Sequence, residues 1–224
     1  MKIKKRSQKI QEYNDKYPIR ITDPYERVVQ YFKDNNLDLQ KACNKARIQA
    51  QKIIDSREYK SIRIILYEQP EATPRPRAFN AHIFSPGAAD NKRYFMEALS
   101  SIKDTLKLIS TPAELHIEAY LEMPANIPPY EIILFESKLL SPISKPDFDN
   151  FAKSYTDMLT GILTIDDDIF YRAEIEKYYS LLPRVEMRIT YESKIESDYI
   201  YKKLKTRKIV KEGLKSGCVE LNRL

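Results

Sequence analysis

Six carboxylates fall between Asp147 and Asp168: Asp147, Asp149, Asp157 and the triplet Asp166-Asp167-Asp168. This is denser than a solvated surface requires, and it constrains every element near it. Pro146 disfavours helix at Lys145 and delivers the chain extended, so Asp147 and Asp149 are expected on one face with Phe148 turned to the core. A helix is predicted from Asp149 as N-cap, with Phe151, Tyr155, Met158, Leu159 and Ile162 as its apolar side and Gly161 as its stop. Asp149, Lys153 and Asp157 then line the opposite side, open for chemistry. Leu163 and Ile165 lead into the triplet, and the alternation from Tyr171 to Tyr179 predicts a strand starting beside it.

The 224 residues are those of a water-soluble globular chain, and no apolar run approaches the ~20 residues of a membrane span. The basic start, Met1 to Lys9, is followed by neither an apolar stretch nor a small-residue cleavage site, so the expected location is cytoplasmic. Cys43 and Cys218 lack the spacing of a zinc site or a disulfide framework and are read as thiols. Charge is unevenly spread. Residues 1–60 carry 15 Lys and Arg against 8 Asp and Glu, residues 61–192 carry 14 against 20, and residues 193–224 carry 9 against 4. The acidic middle asks for cations and the basic ends for a polyanion such as nucleic acid.

This charge pattern divides the chain into a basic arm with a helical extension (1–60), a central domain (61–192) and a basic tail (193–224). Helices are predicted from Pro24 and over Leu37 to Tyr59, broken at Asn35-Asn36. A helical hairpin is favoured over a helix-turn-helix, because no recognition surface is identifiable. Strands are predicted at Ile62–Tyr67, Ala81–Phe84, Glu114–Met123 and Val185–Tyr191. Helices are expected at Asp90–Ile109, near Glu131–Leu140 and over Tyr201–Lys211. The extended Thr73-Pro74-Arg75-Pro76-Arg77 loop presents two guanidinium groups suited to phosphate. Arg75, Arg77, Lys92 and Arg93 are the candidate DNA contacts. His82 and His116 are read as isolated. Four glycines and no GxGxxG or GxxxxGK remove the usual nucleotide cradles.

Carboxylates gathered from a strand end, a helix start and a second strand suit Mg²⁺, with Mn²⁺ as the alternative, and a lysine beside them suits a phosphoryl transition state. Neither acidic cluster has the EF-hand pattern, and a two-carboxylate glycosidase would leave the lysine and the basic ends unexplained. The pattern D-x-D-N-x-x-K-x-x-x-D-x-L-x-G-x-x-x-x-D-D is filled by Asp147, Asp149, Asn150, Lys153, Asp157, Leu159, Gly161, Asp166 and Asp167. It resembles the RusA family of Holliday junction resolvases. The Pro-Arg-Pro-Arg loop before Phe84-Ser85-Pro86, and Ile175-Glu176-Lys177-Tyr178-Tyr179, resemble further parts of that family over roughly residues 61–192.

The resemblance implies an α/β (α+β) fold, a RusA-like mixed sheet flanked by helices, here with an N-terminal helical extension. It implies a homodimeric, Mg²⁺-dependent endonuclease that cuts four-way DNA junctions by paired nicks. Asp147, Asp149, Asp167 and Lys153 take the catalytic positions, and Asp147, Asp149, Asp167 and Asp166 the metal positions. A third acid, Asp168, and Ile169 depart from the pattern, which leaves the register of the third ligand open among Asp166, Asp167 and Asp168. The alternatives are a non-catalytic DNA-binding protein of the same fold, or a nuclease for flaps, forks or duplex DNA.

Overall fold

The computed structural model of the chain describes residues 23–71, 77–79, 82–84, 93, 95–97, 99 and 106–223. These fall into two compact units divided between Ser56 and Arg57. The first contains α1, Pro24–Asp34, and α2, Leu39–Ser56. Asp23 caps α1 by accepting the Glu26 amide at 2.9 Å, Pro24 supplies a preset φ at its start, and Asn36 turns the chain at φ 51°. Asp38 accepts the Lys41 amide at 2.9 Å and opens α2. Neither helix contains a buried residue.

The second unit is a mixed α+β fold. Strands β1 (Tyr59–Leu66), β4 (Ala113–Glu122), β5 (Phe170–Ser180) and β6 (Arg184–Glu192) form a sheet in the order β1-β6-β4-β5. The first two pairings are antiparallel, and β4 runs parallel to β5. A small hairpin of β2 (Arg77–Phe79) and β3 (His82–Phe84) stands separately in the pairing scheme. In β4 the alternation predicts the burial: Leu115, Ile117, Ala119 and Leu121 are all in the core. Val185, Met187 and Ile189 of β6 and Ile64 and Leu66 of β1 complete that apolar face.

Helix α3 spans Pro129–Glu136, and α4 spans Phe148–Leu159. Phe151, Tyr155, Met158 and Leu159 bury one side of α4 among the sheet residues, with the Phe151 and Tyr155 rings 4.6 Å apart. Gly161 ends the segment at φ 77°, a left-handed position that favours glycine, and its amide donates to the Thr164 carbonyl at 2.7 Å.

Differences from the sequence reading include two elements. The helix expected through Ile109 does not reach it. Leu108 donates to the Cys218 carbonyl at 2.8 Å and Ile109 to the Leu163 carbonyl at 2.7 Å, so these residues are extended bridges. Near the C-terminus, α5 (Asp198–Thr206) stops at the extended Arg207, and α6 (Lys208–Ser216) continues to the left-handed Gly217. The sequence reading had one helix fading after Lys211. Leu204, Val210 and Val219 instead reach the core, which is what holds this lysine-rich segment to the sheet domain.

Candidate functional site

The N-cap of helix α4 falls two residues before the expected Asp149. Asp147 is its N-cap, extended at φ −64° and ψ 140°, and its carboxylate makes no cap hydrogen bond. Phe148 opens the first turn and is 58% exposed, contrary to the expectation that it faces the core. The reason is geometric: in a helix Phe148 takes a position about 100° from its neighbours, whereas the alternation argument holds only in a strand. Asp149, Lys153 and Asp157 are exposed on the side opposite Phe151, Tyr155 and Met158, as the spacing predicts.

The loop entering α4 is fastened to β5. Lys177 donates to the carbonyls of Ser144 at 3.0 Å and Pro146 at 2.9 Å, and the Ser144 and Tyr179 hydroxyls lie 2.6 Å apart. These anchors place Asp147, and sequence reasoning assigned them no role.

At the other end of α4, a short 3-10 turn, Asp167–Ile169, precedes β5. Asp166 accepts the Asp167 amide at 2.9 Å. Partial burial, the bonded Asp166 with its charge, and the charge of Asp157 together push the Asp167 carboxyl above the ordinary range. Asp168 is engaged elsewhere. It holds both terminal nitrogens of Arg207, one at 2.8 Å, and the same guanidinium lies 3.5 Å from Asp166.

The structure therefore brings Asp157 and Asp166 within electrostatic range of Asp167. Asp149 stands two turns of helix from Asp157, about 12 Å along the axis at ~1.5 Å per residue, with Lys153 between. Asp147, Asp149 and Asp167 do not meet as a set of ligand atoms. Among the described residues the set of three that does, within 4.8 Å, is His116, Glu118 and Glu176.

His116 is thus not isolated. Parallel pairing of β4 with β5 sets its Nε2 3.3 Å from Glu176 Oε2. Glu118 is already held by Lys138 at 3.2 Å and by the Tyr120 hydroxyl. Burial alone would raise the Glu118 carboxyl, but these two hydrogen bonds and the lysine charge bring it below its usual value. Lys138 in turn lies 4.2 Å from the Tyr178 ring centroid, which makes this patch a satisfied ion-pair and cation-π network.

Of the expected DNA contacts, Arg75 and Lys92 lie outside the described residues, Arg77 is known as a backbone position in β2, and Arg93 is exposed and helical. The side chain of His82 also lies outside the description. No helix of the described residues is long and apolar enough to cross a membrane.

Residues 68–190, which contain α4, the acid triplet, β4, β5 and most of β6, match the model of the endodeoxyribonuclease RusA family. The chain belongs to the RusA family. It is also 28% identical over 134 residues to the uncharacterized protein YqaN of Bacillus subtilis (strain 168), a match that covers 57% of this chain and 94% of that protein. Family membership makes this a nuclease domain acting on DNA, with the acidic face of α4 inside the matched region. The pair α5 and α6, with Arg207 between them, lies beyond it.

Proposed function

We propose that the chain is a Mg²⁺-dependent endodeoxyribonuclease that resolves four-way DNA junctions as a homodimer, nicking two opposed strands. The observation that carries this reading is the exposed row Asp149, Lys153, Asp157 on α4, ending beside Asp166 and Asp167, within the family-matched residues. Carboxylate oxygens suit a hard divalent cation, Mg²⁺ or Mn²⁺. Asp147 and Asp149 at the start of the helix, and Asp167 with Asp166 beyond its end, are the groups that would hold it once metal or DNA draws them together, since here their oxygens do not lie within 4.8 Å of one another. When bound, such an ion lowers the pKa of a coordinated water and polarises the scissile phosphate. The Lys153 ammonium, between the two groups, stabilises charge developing on the phosphoryl oxygens. The guanidinium of Arg207 neutralises Asp168, which favours Asp167 as the third ligand and Asp166 as its orienting partner.

Two-fold symmetry fits the substrate, because one acidic cluster cuts one strand at a time and resolution requires two opposed nicks. The test is cleavage of a synthetic four-way junction, a flap and a linear duplex with Mg²⁺ and with EDTA. Asp149→Asn should abolish cleavage while junction binding is retained or improved, since one negative charge facing the phosphates is removed. In a mixed dimer of wild-type and Asp149→Asn subunits, a cruciform plasmid should accumulate as nicked circle. Linear product from that mixed dimer at the wild-type rate, or turnover by the Asp149→Asn protein, refutes the assignment.

A further inference from the structure

A groove of about 450 Å³ opens between α5 and the start of β5, immediately beside the acid triplet. Its lining includes Asp168 and Tyr171 from the matched domain, and Tyr199, Ile200, Lys203 and Arg207 from the C-terminal helices. Tyr171 and Tyr199 are 59% and 70% exposed, although large aromatic side chains gain most by burial. The Tyr171 hydroxyl is tethered to Glu114, which fixes one ring at the groove wall. Lys203 is exposed in the last turn of α5. Lys205 and Lys208 are exposed on either side of Arg207, and the Arg207 contact with Asp168 ties this cationic corner to the triplet.

We propose that this groove binds an unstacked nucleotide of the DNA strand next to the scissile phosphate, with the base against Tyr199 and Tyr171 and a phosphate on Lys203. This deepens the nuclease reading above and rests on it for the choice of strand. Three observations select this occupant. Exposed aromatic rings offer stacking surface to any base, and the groove volume lies in the ~300–1,000 Å³ range of ligand sites. Cations line the same groove, complementing a phosphodiester. The groove also reaches Asp168, the neighbour in sequence of the proposed ligand Asp167, so a strand lying on the triplet passes its rim. Branch points supply the unstacked base that an intact duplex withholds. Because half of this lining, including Tyr199 and Lys203, comes from outside the family-matched residues, the subsite depends on this chain's C-terminal helices.

The test uses the full chain in EDTA and a fluorescein-labelled oligothymidylate of about 12 nucleotides, within the ~4–16 that single-strand sites occupy. Anisotropy gives the affinity across a salt series. Tyr199→Ala should weaken binding by roughly 5- to 160-fold, the range of one base-aromatic stack, while Tyr199→Phe keeps the ring and stays close to wild type. Lys203→Ala should reduce the slope of log affinity against log salt by about 0.7, one phosphate contact on a single strand. Unchanged affinity in Tyr199→Ala overturns the proposal. So does a change of mass in light scattering for that variant, which would make the groove a protein interface. The nuclease reading is judged separately: a wild-type chain that binds through Tyr199 yet never nicks a junction leaves the groove standing and removes the catalysis.

Discussion

Replacing Arg207 by alanine probes both the attachment of the C-terminal helices and the state of the acid triplet. The guanidinium is 29% exposed and its partner Asp168 is 52% exposed. Solvent at this depth reduces the pair well below a buried one, whose disruption costs about 3–5 kcal/mol, but a two-pronged charge-assisted geometry exceeds the ~0.2–1 kcal/mol of a loose surface pair. A loss of about 1–2 kcal/mol follows. At ~2–4 °C per kcal/mol for a chain of this size, the melting temperature should fall by roughly 2–8 °C.

The variant also leaves Asp166, Asp167 and Asp168 with no guanidinium among them, and a divalent cation can then take over part of its electrostatic work. Ligands that bind the folded state stabilise it in proportion to ln(1 + [L]/Kd), so Mg²⁺ should raise the melting temperature more in Arg207→Ala than in wild type. Differential scanning fluorimetry with and without Mg²⁺ measures both effects. Arg207→Lys should recover the charge but not the fork geometry, giving an intermediate value. If Arg207→Ala melts like wild type, or if Mg²⁺ stabilises the two proteins equally, the guanidinium is not balancing the triplet and the reasoning fails.

Three further outcomes follow from particular atoms. Among the described residues the buried Thr164 hydroxyl has no hydrogen-bond partner, so Thr164→Val should raise stability by about 1 kcal/mol in urea denaturation, and a loss would mean that the hydroxyl has a partner. A Cβ on Gly213 would stand 2.4 Å from Val219 Cγ2, so Gly213→Ala should cost about 1–3 kcal/mol by overpacking α6, measured by the same denaturation series. The Asp167 carboxyl is raised by burial, by Asp166 and by Asp157, so the ionised form destabilises the fold and its strain grows as pH climbs through the raised pKa. Asp157→Asn should therefore raise the metal-free melting temperature above the carboxylate titration range and leave it unchanged at acid pH, where all these groups are protonated. An equal shift at both extremes would place its cause outside this electrostatic coupling.

Local pattern made much of the fold readable. Alternation in β4 marked Leu115, Ile117, Ala119 and Leu121 as core, and helical spacing separated Phe151, Tyr155 and Met158 from the exposed Asp149, Lys153 and Asp157. What pattern missed was set by pairing across long separations. Whether Leu108 and Ile109 are helical depends on Cys218 and Leu163, which lie elsewhere in the chain. The His116 contact with Glu176 depends on a parallel register, and the Asp168 contact with Arg207 on where α5 stops. Phe148 was misplaced for a different reason: a two-residue change in where the helix begins converts the period from two to 3.6 and turns the ring outward.

The parallel ladder between β4 and β5 also has a kinetic meaning. Ala113 pairs with Phe170, so α3, the anchored loop, α4 and the acid triplet all lie within the segment closed when the two strands meet. Closing so long a loop precedes the gain from its contacts, and non-local parallel pairing is intrinsically slow. The carboxylates at the two ends of α4 take up their places only after that closure. During refolding, protection of the β5 amides and recovery of cation binding should accordingly rise together, later than helix formation.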